Sequence, residues 1–115
     1  MALETHRITV GDTLTPMGVQ LKQRNTSGVL AAVNLTGATV KFSMVAEDGT
    51  VIVDEATTGV TVTDAEEGQV QYDFQAADVE EAGTFYGWFT VYSSGERDTY
   101  PKGGRKFVIE ISAMA

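Results

Sequence analysis

Residues 80–92 read EEAGTFYGWFTVY, and the aromatic groups of this stretch fall on both parities. Phe85, Phe89 and Val91 share one parity; Tyr86, Trp88 and Tyr92 share the other. Successive side chains of a strand point to opposite faces of its sheet, so a half-buried strand alternates apolar with polar residues. A strand with rings on both sides needs a core on one side and a second cover on the other.

Working outward, the neighbouring runs show the simpler alternation. QVQYDF (69–74) sets Val70, Tyr72 and Phe74 against Gln69, Gln71 and Asp73. TVKFSM (39–44) sets Val40, Phe42 and Met44 against Thr39, Lys41 and Ser43. Asp48-Gly49 is a hairpin signal, and TVIVD (50–54) follows it as the returning strand. ITV (8–10), MGVQLKQR (17–24), GVTVT (59–63), the polar ERDTY (96–100) and RKFVIEI (105–111) complete the strand signals. Glycine-bearing turns separate them, and AADVEEAG (76–83) allows one helical turn at most. Short strands at this spacing predict an all-β sandwich or barrel. Phe42, Met44, Val70, Tyr72, Phe74, Phe85, Phe89, Val91, Phe107 and Ile109 are the expected core.

The 115 residues form one domain's worth of chain, expected to be ordered over about 6–111 with short flexible ends at 1–5 and 112–115. Hydrophobic residues make up 43% of the chain, enough for a core. There is no cysteine, which excludes disulfides and thiolate metal sites. The formal net charge of −8 disfavours nucleic acid and anionic membrane as partners. The one basic cluster, Lys102, Arg105 and Lys106, reads as a solvated loop and strand end. No run approaches the ~20 apolar residues of a membrane-spanning helix. MALETHRITV (1–10) lacks the apolar stretch of a secretory leader, so synthesis in the cytoplasm without leader cleavage is the expectation.

Chemistry-bearing constellations do not emerge. His6 is the single histidine and reads as a surface residue, without partners for a triad or a two-His metal site. The carboxylates gather at turns, as Glu47-Asp48, Asp64-Glu66-Glu67 and Asp78-Glu80-Glu81, with none of the spacing of a calcium loop. Gly103-Gly104 precedes a strand rather than a helix, so it reads as a turn or bulge and not a phosphate cradle. Hence no catalytic, cofactor-binding or metal-ligating residue is expected, and the chain is read as a non-enzyme.

In EAGTF (81–85) the spacing matches the corner that leads into the sixth strand of immunoglobulin-like sandwiches. That corner carries a tyrosine whose hydroxyl bonds back to the backbone. Phe85 stands in its place and Gly87 stands where antibody domains have a cysteine. The expectation is a corner held by packing alone.

Three longer stretches carry a family resemblance. They are LTGATVKFSMVAEDGTVIVD (35–54), VTVTDAEEGQVQYDF (60–74) and ADVEEAGTFYGWFTVY (77–92). Their order resembles the immunoglobulin-like domain that opens the baseplate upper protein of tailed phages, across residues 8–111, and with the corner motif it implies an all-β, immunoglobulin-like β-sandwich of seven to nine mostly antiparallel strands. The resemblance implies a structural part of a virion, in head, tail or baseplate, that works as an oligomer and docks to other virion proteins without cofactor. It supplies no catalytic residues.

Tyr86, Trp88 and Tyr92 are the candidate interaction surface. Three rings left in water are a solubility liability, so either the loop at 25–35, with Val29, Leu30 and Val33, or another subunit is expected to cover them. A carbohydrate-binding or cell-surface-binding platform is the alternative use of such rings.

Overall fold

The alternating runs become strands in the computed structural model, which describes residues 5–11, 16–24, 27–100 and 106–113. In chain order they are β1 (Thr5–Thr9), β2 (Met17–Gln20), β3 (Lys22–Arg24), β4 (Leu30–Ala32), β5 (Thr39–Ala46) and β6 (Val51–Ala56). Then come β7 (Val60–Asp64), β8 (Gln69–Tyr72), β9 (Gly83–Ser93), β10 (Glu96–Tyr100) and β11 (Phe107–Ser112). One turn of 3-10 helix, Ala76–Val79, precedes β9.

The larger sheet runs β1-β11-β9-β5-β6, with β10 also paired to β9. The smaller runs β2-β8-β7, and β3 and β4 form a separate hairpin. Among the described residues all pairings are antiparallel except that of β1 with β11, which is parallel. This is the expected all-β sandwich, divided more finely than the sequence suggested. The run 17–24 splits at Leu21, which is buried between β2 and β3 and donates its N–H to the Gly68 carbonyl. Residues 30–32, read as loop, form β4 against β3. β1 begins at Thr5 and β11 ends at Ser112, so both reach one residue further than the expected core. Arg105, Lys102 and Gly103-Gly104 lie outside the described residues.

The two sheets meet on a chain of rings. Phe42 of β5 stacks on Tyr72 of β8 at 4.2 Å between centroids, and Phe89 of β9 lies 5.1 Å from Phe42. Phe74 meets Tyr72 edge-on at 5.4 Å. Phe42, Met44, Val70, Tyr72, Phe74, Phe85, Phe89, Val91 and Ile109 are buried as expected. Phe107, at the margin of this cluster, is only half-buried and packs edge-on against Phe89. Leu21, Leu35, Val79 and Tyr100 join the core as well.

Gly87 makes this packing possible. A Cβ there would lie 2.9 Å from Cζ of Phe42 and 3.1 Å from Cδ1 of Ile109. Where antibody domains place half of a disulfide, this chain seats a phenyl ring against a bare backbone. Burial of one such ring stabilises the fold by about 1.5–3 kcal/mol.

At the β5–β6 hairpin, Gly49 takes φ +92°, a conformation that side chains with a Cβ rarely adopt. The Thr50 N–H bonds to Oδ1 of Asp48 at 2.9 Å. Hydrogen bonds from Thr50 hold the Asp48 carboxyl below its usual value.

The corner before β9 differs from expectation. It is hydrogen-bonded, by a tyrosine from a different strand. The Tyr72 hydroxyl donates to Oδ2 of buried Asp78 at 2.5 Å, and the Gln75 N–H donates to the same oxygen at 2.9 Å. Burial, followed by the hydrogen bond to Asp78, pushes the Tyr72 hydroxyl well above its ordinary value. Phe85 cannot bond here, but Tyr72, reaching from β8 across the core, can. His6 also departs from a surface reading: it is half-buried and stacks on Phe74 at 5.8 Å.

Candidate interaction surface

β9 is the middle strand of the larger sheet, and its register with its neighbours fixes what lies on each face. Tyr86, Trp88, Thr90 and Tyr92 pair with Val45, Ser43, Lys41 and Thr39 of β5. On the other edge, Tyr86 pairs with Val108, Thr90 with Thr99 and Tyr92 with Arg97. Phe85, Phe89 and Val91 of the opposite parity are buried, so the face bearing Tyr86, Trp88 and Tyr92 points away from the sandwich interior. The structure thus gathers all three expected surface residues on one outward face. An apolar row crosses it from Val51 through Val45 and Tyr86 to Val108, spanning four strands. Val51 at the end of this row is 60% exposed.

The rings are half-buried, and the chain's own lysines provide part of the cover. Nζ of Lys41 lies 4.8 Å from the centroid of Tyr92, and Nζ of Lys106 lies 5.3 Å from that of Trp88. The aliphatic stem of a lysine can lie along apolar surface while its ammonium stays wet, and the ring face attracts the cation. Beneath this layer Ser43 and Thr90, each 4% exposed, are sealed from water although they belong to the outward parity. The described part of the loop at 25–35, residues 27–35, packs elsewhere. Val33 donates its N–H to the Leu21 carbonyl and Leu35 donates its N–H to the Ala65 carbonyl, tying this segment beside the smaller sheet. Val29 is 59% exposed.

A bulge aims one more side chain at the face. Phe42 pairs with Ala56 and Met44 with Val53, so β6 holds one extra residue between these rungs. Glu55 sits there at φ +45°, and its N–H donates to the Ser43 hydroxyl oxygen at 3.1 Å. An extra residue bends the strand and re-aims its side chains. The Glu55 carboxylate accepts a hydrogen bond from the Tyr92 hydroxyl. This bond, more than burial, raises the Tyr92 hydroxyl above its ordinary value.

Trp88 faces a break in the neighbouring ladder. Tyr100 pairs with Phe89 and Phe107 with Gly87, and no described residue of β10 or β11 pairs with Trp88 between them. Beside the break, Val45, Ala46, Glu47, Gly49, Tyr86 and Lys106 line an open groove.

The lysine cover, the Glu55 bulge and the valine row escaped the sequence reading. Each depends on cross-strand register. The nearest signal was Lys41, a polar residue in the cleanest alternating run.

Among the described residues no cluster of three or more His, Cys, Asp or Glu side chains is placed to hold a metal ion. No helix among them is long and apolar enough to cross a membrane. The arrangement offers contact area, ring faces and ammonium groups.

The model of the BppU N-terminal domain family matches residues 7–112. No curated protein matches the chain. With almost its whole length covered by that match, on a sandwich built as the resemblance implied, the chain belongs to the family of N-terminal domains of the phage baseplate upper protein, a structural domain of phage virions.

Proposed function

We propose that the chain is a non-enzymatic docking domain that attaches to other virion proteins through the outward face of its larger sheet. The observation that carries this reading is the collection of Tyr86, Trp88 and Tyr92 on one face with the valine row running across it. Aromatic and arginine side chains are favoured at the centres of protein interfaces, where a few anchors supply most of the binding energy. The face is carried on hydrogen-bonded strands of one sheet, which limits the ordering cost of binding. The bound protein is another component of the virion, and copies of this chain gathered on a shared partner give the oligomer expected from the sequence.

The sugar-binding alternative finds less support. A sugar stacks on an open ring face, and the face of Trp88 carries Lys106.

The test is binding of the purified domain to purified baseplate proteins, with size measured at micromolar concentration. The expected result is a complex that Trp88→Ala or Tyr86→Ala weakens at least tenfold. A strictly monomeric domain that binds none of them overturns the reading.

A further inference from the structure

The outward face does not share the acidic balance of the molecule. The chain holds 16 acidic and 8 basic residues. Four of those basic residues, Arg7, Lys41, Arg97 and Lys106, lie on this face or at its rim. Two carboxylates of the same face are already engaged: Glu110 by Arg7 at 3.0 Å, and Glu55 by the Tyr92 hydroxyl. Glu47 lines the groove beside Lys106. Lys41 and Lys106 are seated on rings, and neither forms an ion pair among the described residues.

A lysine ammonium has three N–H donors and accepts nothing. When it sits over a ring, its other donors point away from the ring, toward whatever comes next. A carboxylate arriving there gains a charge-assisted hydrogen bond and completes a cation held between a ring and an anion. The valine row beside it calls for apolar side chains on the same partner. Resting on the docking reading above, we infer that this face takes an acidic protein segment: carboxylates on Lys41 and Lys106, and apolar side chains along Val51, Val45, Tyr86 and Val108.

The experiment uses the full chain, isotope-labelled, observed by nuclear magnetic resonance. The probes are a synthetic peptide of mixed glutamate and leucine and its glutamine counterpart of equal length. The glutamate peptide is expected to shift the resonances of Lys41, Val45, Tyr86 and the Trp88 indole. Its binding should weaken at least tenfold between about 0.05 M and about 0.5 M salt, because screening shortens the reach of exposed charges. The pair Lys41→Gln and Lys106→Gln should weaken it at least tenfold, whereas Lys22→Gln, on β3, should not. Equal binding of the glutamine peptide, shifts confined to another surface, or a doubled mass showing that a second copy takes the face each overturns the inference. If baseplate proteins bind the Lys41→Gln, Lys106→Gln protein normally but fail to bind Trp88→Ala, the docking reading stands and the acidic-partner inference falls.

Discussion

Both faces of β9 carry aromatic rings, two inward and three outward, and hold them in different ways. On the inward face, ring packs on ring: Phe89 lies against Phe42 and Phe107, and Phe42 fills the space that Gly87 leaves. On the outward face, Tyr92 and Trp88 lie under lysines. The inward contacts are fixed by volume, since an interior packed like a crystal has no room to rearrange. The outward cover is a pair of flexible stems that can move aside. One face therefore specifies the fold, and the other is available for exchange with a partner. The same residue types serve both ends because burial decides what a ring does.

Four substitutions probe this contrast. Phe42→Ala opens a cavity at the junction of the two sheets and should cost about 3–5 kcal/mol in urea unfolding. A loss below 1 kcal/mol would mean that the inward rings are not interlocked. Tyr72→Phe removes the hydroxyl that bonds buried Asp78, a hydrogen bond to a charged group, and should cost about 1.5–3 kcal/mol.

This loss depends on pH with a defined sign. The Tyr72 hydroxyl is raised in the folded state above its ordinary value of 10.0, so its contribution is fully present below that pH. It fades as the pH climbs from there toward the folded-state value. Unfolding curves between about pH 8 and pH 11 should show a constant gap between the natural protein and Tyr72→Phe, and then a narrowing one. A gap that widens in alkali would contradict the assigned bond. Tyr100, also raised by burial, is present in both proteins and cancels in the difference.

Gly87→Ala presses a methyl group into Phe42 and should cost about 1–3 kcal/mol, while leaving the outward face untouched. Its binding to baseplate proteins, measured below its unfolding midpoint, should match that of the natural chain. Trp88→Ala is the mirror image. It should cost only about 1 kcal/mol of stability, yet remove most of the docking. If Trp88→Ala destabilises the fold as much as Phe42→Ala, the distinction between the faces fails.

Much of this fold was legible in residues because alternation reports directly on which side of a strand is dry. Val40, Phe42 and Met44 of β5, and Val70 and Tyr72 of β8, are buried as their parity requires. Tyr100 was passed over because its run, ERDTY, is polar. Its inward aim comes from pairing with Phe89, which a local pattern cannot show. The bonded corner left a trace that could have been followed. An inward tyrosine needs a partner for its hydroxyl, and Asp78 stands six residues on, across one turn. The bulge at Glu55 left none, since its left-handed backbone is taken by glutamate where glycine is the usual signal. Of the candidate surface, the three rings were visible and their surroundings were not. Lys41 and Lys106 lie 65 residues apart in the chain and meet the rings only through the sheet.

The parallel pairing of β1 with β11 has a mechanical side. Thr5 lies beside Val108 and Thr9 beside Ser112, so the chain comes into this ladder at one pole of the strand pair and departs from the other. Tension applied through the two termini drags these neighbours past each other lengthwise, loading every rung of the ladder together instead of peeling them singly. Such a joint resists stretching far better than it resists being unzipped, a property suited to a structural part of a phage virion.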